Sequence, residues 1–69
     1  MQTIKIKDEF IKLGQVLKAV GLVESGVEAK TVIQDGLVTV NGKVETQRGK
    51  KLTGGEIVCF NGQEVRIEK

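Results

Sequence analysis

This chain of 69 residues has no histidine, tryptophan or tyrosine, and a single cysteine, Cys59. Each absence closes a class of function. One cysteine cannot form an internal disulfide, and without histidine there is no zinc-ligand set. Ser25 has no imidazole to activate it, so it reads as a helix cap and not a nucleophile. The apolar runs are too short to cross a membrane as a helix. The opening MQTIKIKDEF lacks the apolar stretch of a signal peptide. These readings set the expectation of a cytoplasmic protein with no membrane partner, no metal and no cofactor. Phe10 and Phe60 are the only aromatic residues, and both fall in apolar patterns. Cys59, inside Ile57-Val58-Cys59-Phe60, reads as a strand residue packed like a small hydrophobe.

What is present is a hydrophobic share of 39% and a concentrated run of charge. The apolar content suffices for one small core, so residues 1–69 are expected to form a single domain. The net charge is only +2, but between Lys43 and Lys51 stand Lys43, Arg48, Lys50 and Lys51 against Glu45 alone. The positive charge is therefore local. Just before it, Val38 and Val40 lead into Asn41-Gly42, the strongest short signal for a type I′ hairpin turn. A fixed turn followed by clustered cations suggests a surface that grips phosphate groups.

Along the chain, the alternation in Thr3-Ile4-Lys5-Ile6-Lys7 predicts a first strand, with Asp8 as the cap of a first helix. Phe10, Leu13, Leu17 and Val20, joined by Val16, make that helix's apolar stripe, and Gly21 ends it. Ser25 and Glu28 have the spacing of a capping box for a second helix, whose inner face is Ala29, Val32 and Ile33. Gly36 stops it. The period then changes to two: Val38–Val40 pairs with Lys43 to Thr46, Arg48 to Lys51 form a loop, Thr53-Gly54-Gly55 turns, and two last strands flank Asn61-Gly62. The expected fold is α+β, in the order β-α-α-β-β-β-β, with a helix hairpin packed on a small, mostly antiparallel sheet.

These residues resemble a known family. The helix pair followed by a glycine and V-x-V-N-G is similar to the S4 domain, an RNA-binding module with an αL motif; the matching positions are Leu13, Leu17, Gly21, Ser25, Ala29, Ile33, Gly36, Val38, Val40, Asn41 and Gly42, then Leu52, Gly55 and Val58. Within that superfamily the chain is most similar to the short stand-alone bacterial proteins of the YaaA/YbcJ type. The shared pieces are Ile11, Leu13, Gln15, Leu17 and Lys18; Ser25, Gly26, Ala29 and Lys30; and Glu45, Arg48, Gly49, Lys50, Lys51 and Leu52. It departs from that group at Val27, Gln47 and Glu56, where glycine, arginine and aspartate are usual. The larger family often has an arginine where Gly26 stands.

The resemblance implies RNA binding, with structured RNA of a ribosomal or tRNA-like kind as partner and an association with the ribosome. The charge pattern points the same way. Lys12 and Lys18 lie off the first helix's apolar stripe, and Lys30 lies at the edge of the second's. Together with Lys43, Arg48, Lys50 and Lys51 they make the candidate RNA-binding set, provided the loop folds back beside the helices. Arg48 offers a planar fork for bidentate contact, while the lysines act as point charges. With both phenylalanines assigned to the core, no ring is left for stacking bases, so folded or double-stranded RNA is expected over single strands. A non-catalytic protein is expected, with no catalytic residues. The alternative is a protein-interaction module, a ribosome- or replication-associated adaptor, drawing on Leu22, Val23, Val27 and Leu37, which the patterns leave unplaced.

Overall fold

A computed structural model describes residues 1–69 throughout. In chain order the elements are β1 (Gln2–Lys5), β2 (Ile11–Lys12), α1 (Leu13–Ala19), α2 (Gly26–Gln34), β3 (Val38–Val40), β4 (Lys43–Val44), β5 (Lys51–Leu52), β6 (Ile57–Phe60) and β7 (Gln63–Glu68). Five strands form one sheet in the order β1-β7-β6-β3-β4, parallel between β1 and β7 and antiparallel elsewhere. The α+β class and the helix pair on a mostly antiparallel sheet are as expected. The expected order gains two short strands, β2 and β5, which pair with each other to make a second, two-stranded sheet.

That small sheet moves the start of the first helix. The expected helix after Asp8 begins instead at Leu13, because Ile11 and Lys12 are drawn out to pair with Leu52 and Lys51. Lys12 is extended, with φ −81° and ψ 148°, and its amide donates to Gln15 Oε1 at 3.0 Å, so glutamine and not aspartate closes the helix entrance. Phe10 consequently leaves the apolar stripe. It is half-buried and outside the core cluster, whereas Phe60 packs against that cluster as expected. Lys51 likewise leaves the expected loop and becomes the first residue of β5. β4 stops at Val44, short of Thr46, where the Glu45 carboxylate accepts from the Gln47 amide at 3.1 Å.

One core of 12 apolar residues joins the layers. Leu13, Val16 and Leu17 come from α1, Ala29 and Ile33 from α2, and Val38, Val58, Val65 and Ile67 from the large sheet, with Leu52 from β5. No polar side chain is buried among them. Removing a leucine from such a core costs about 2–5 kcal/mol, so these positions hold the two sheets and the helices in fixed relation.

Both helices stop as their glycines require. Gly21 and Gly36 adopt φ of 80° and 77°, and the next amides, Leu22 and Leu37, reach back to the carbonyls of Leu17 and Val32. That backbone pattern satisfies the last carbonyls of each helix. At the start of α2, Ser25 Oγ accepts from the Glu28 amide at 3.1 Å. The Glu28 carboxylate reaches one residue further back than a reciprocal box would, to the Glu24 amide at 2.8 Å. Asn41, at φ 52°, makes the hairpin turn and also fastens it to β6: its Oδ1 accepts from the Ile57 amide at 2.9 Å while its own amide donates to the Ile57 carbonyl at 2.8 Å.

Candidate nucleic-acid interface

The loop after the hairpin does fold back beside the helices, and backbone hydrogen bonds hold it there. The carbonyls of Lys50 and Arg48 accept from the amides of Leu13 and Gly14, at 2.9 and 3.1 Å. The first turn of a helix always has amides without intrahelical partners, so the loop supplies what α1 lacks and gains a fixed position in return. The Lys50 amide closes the loop on the Gln47 carbonyl at 3.2 Å.

Gly14 is what allows this approach. A β-carbon at position 14 would fall 2.6 Å from Arg48 Cγ, too close for any real contact. Sequence reasoning sees Gly14 only as a weak helix residue. Its structural meaning is the seat of the arginine stem, and it can be found only once the loop and helix are brought together.

Lys12, Lys18 and Arg48 surround one open depression of about 350 Å³, floored by Gly14, Gly26 and Gly49. No carboxylate lines it. β-carbons at positions 26 and 49 would meet nothing within 4 Å, so the backbone there is open to a ligand. Three cationic residues bordering open backbone offer an anion charge-assisted hydrogen bonds, which are about twice as strong as neutral ones.

Lys43, Lys50 and Lys51 line a second groove, together with Glu45 and Glu56. Both carboxylates have backbone partners. Glu45 accepts from the Gln47 amide, and Glu56 accepts from the amides of Thr53 and Gly54 at 2.9 and 2.8 Å. Partial burial pushes the Glu56 carboxyl up, but hydrogen bonds from the amides of Thr53, Gly54 and Glu56 itself and from the Thr53 hydroxyl outweigh it, leaving the pKa below its ordinary value. The two basic regions meet at β2 and β5, where Lys12 lies directly opposite Lys51. Like charges in that register repel each other. The Lys51 ammonium stands 4.7 Å from the centroid of the Phe10 ring, a cation–π distance. Lys30 is exposed on α2 and lines neither hollow.

Of the four apolar residues left unplaced, Val23 joins the core and Leu22 packs against it. Val27 and Leu37 stay exposed, at 76% and 56%, along with Val44 at 60%. No helix is long and apolar enough to cross a membrane.

The S4 domain family matches residues 4–68. The chain belongs to that family. Among its relatives, YbcJ of Escherichia coli is 39% identical over 61 residues, which cover 88% of this chain and 87% of YbcJ. The Bacillus subtilis protein named "Probable ribosome maturation protein RlbA" is 39% identical over 59 residues, 86% of this chain and 83% of RlbA. The solution structure of YbcJ superposes with a TM-score of 0.77 at 37% identity, covering all of this chain and 89% of the other, and is described as revealing an αL motif involved in RNA binding. Ribosomal large subunit pseudouridine synthase B of B. subtilis is 40% identical over 58 residues, but the match spans only 23% of that enzyme. The S4 domain thus occurs both in short chains and as one part of a longer protein.

Proposed function

We propose that this protein is a non-catalytic, cytoplasmic RNA-binding domain that grips the backbone of structured RNA, ribosomal or tRNA-like, and acts on or near the ribosome. The observation that carries the reading is the docking of the Arg48–Lys50 segment on the first turn of α1, which sets Arg48 beside Lys12 and Lys18 around a hollow free of carboxylates. S4 membership and the description of YbcJ's αL motif support RNA as the ligand, and the name of RlbA supports the ribosomal setting. Arg48 serves as the bidentate contact, with Lys12, Lys18, Lys50 and Lys51 as point charges around it and Lys43 and Lys30 at the margins.

Each phosphate neutralised releases condensed counterions, so log affinity falls with log salt by about 0.9 for each contact on a duplex. Fluorescence anisotropy on hairpin fragments of ribosomal RNA and a single-stranded control, across a salt series, tests this. The reading requires tighter binding to the folded RNA and a steep salt dependence. It also requires collapse of binding when Arg48, Lys50 and Lys51 are all changed to Ala. Binding that ignores salt and the triple substitution contradicts it.

A further inference from the structure

We propose that the hollow beside Phe10 holds one unpaired base of the bound RNA, stacked on the phenylalanine ring between Lys5 and Lys7. The inference rests on the RNA-binding reading and adds a subsite to it.

Phe10 is freed from the first helix by the pairing of β2 with β5, and it ends half-buried and outside the core cluster. One side of the ring is met by the Lys51 ammonium, 4.7 Å from its centroid. Lys51 belongs to the groove shared with Lys43 and Lys50, whereas Phe10 lines a different hollow, of about 350 Å³, with Lys5, Lys7, Asp8 and Ile11. The ring therefore stands between the basic groove and this second hollow. Its volume lies at the low end for small-molecule sites, the size of a single flat ligand.

The lining suits a nucleotide better than a bare phosphate. Phe10 and Ile11 offer apolar surface to a base. Asp8 is an acceptor that disfavours a phosphate at its own position and suits an exocyclic amino group. Lys5 and Lys7, both exposed and two residues apart, are placed for the phosphates on either side. Structured RNA is read in sequence chiefly through bases splayed out of the helix and stacked on aromatic rings. Phe10 is the one ring of the chain that does not pack against the core, and it stands beside Lys51; it turns a backbone-gripping face into one that prefers a bulge or loop.

The test uses two RNA hairpins of the same stem, one with a single bulged 2-aminopurine and one fully paired. Binding of the unaltered protein should quench the 2-aminopurine fluorescence and favour the bulged hairpin. Phe10→Leu should lose the quenching and about tenfold in affinity for the bulged hairpin alone, with an unchanged salt slope, since stacking releases no counterions. Phe10→Trp should restore both. Joint replacement of Lys5 and Lys7 by Ala, on exposed positions, should also erase the preference for the bulge. The proposal is overturned if Phe10→Leu weakens both hairpins equally and lowers the salt slope by about 0.9, because Phe10 would then act only by holding Lys51. It is equally overturned if the unaltered protein binds both hairpins alike without quenching. If the protein binds neither hairpin, the RNA-binding reading itself falls.

Discussion

Arg48 lies across Gly14 so closely that no other residue fits at position 14 without moving it: the β-carbon of an alanine would stand 2.6 Å from Arg48 Cγ. The Gly14 amide also donates to the Arg48 carbonyl at 3.1 Å. The contact couples a helix residue of no chemical interest to the side chain assigned the bidentate role.

Gly14→Ala should therefore separate stability from binding. Alanine favours the helix by up to about 1 kcal/mol over glycine, which offsets the displacement of Arg48. Thermal unfolding should move little, while affinity for folded RNA drops about tenfold as one charge-assisted contact is misplaced. Anisotropy and a melting curve on the same sample check both. A melting temperature that falls sharply together with affinity would make Gly14 a packing residue only.

The opposition of Lys12 and Lys51 across β2 and β5 predicts a trade in the other direction. Lys12→Gln should stabilise the free protein by up to about 0.5 kcal/mol in low salt, through loss of like-charge repulsion, and the gain should shrink as salt screens it. The same substitution should weaken RNA binding. Denaturant titrations at two ionic strengths measure the first effect. Stability that does not change at either ionic strength would mean that the pair does not repel, and a loss would mean that Lys12 contributes favourably to the fold.

Glu56 sets an acid limit on the turn before β6. Its folded-state pKa is depressed below the unfolded one, so the stability it contributes is complete above the unfolded value and disappears as pH falls through the folded one. At neutral pH Glu56→Gln should cost no more than about 1 kcal/mol, because the carboxylate reaches solvent and its interactions are screened. Near pH 2 the variant and the natural protein should unfold alike. Urea midpoints at the two pH values give the comparison, and a penalty that persists in acid would contradict it.

Which features could be read from the chain alone follows from how local they are. Gly21, Gly36 and the Asn41-Gly42 turn have the backbone angles their residue types invite, and the Ser25 cap needs nothing beyond its own helix. The start of α1 was not legible, because Phe10 stands three residues before Leu13 and seven before Leu17, which is helical spacing. Only the distant partners Lys51 and Leu52 decide that Ile11 and Lys12 extend instead. The same long-range pairing hides the roles of Gly14 and Phe10. Among the candidate cations, clustering in sequence marked Arg48, Lys50 and Lys51. That Lys12 and Lys18 share a hollow with Arg48 depends on the loop's docking, and Lys30, equally plausible by helical position, lies apart.

In the proposed function, the start of α1 and the loop after the hairpin act as one RNA-gripping face. The most direct test is an NMR titration of isotope-labelled protein with a folded RNA hairpin, following every backbone amide. Signals from residues 12–18 and 48–51 should shift together along a single binding curve, and those of Gln63 and Glu64 at the start of β7 should stay still. Shifts confined to the surroundings of Val27, Leu37 and Val44, or a loop that does not respond while α1 does, would contradict it.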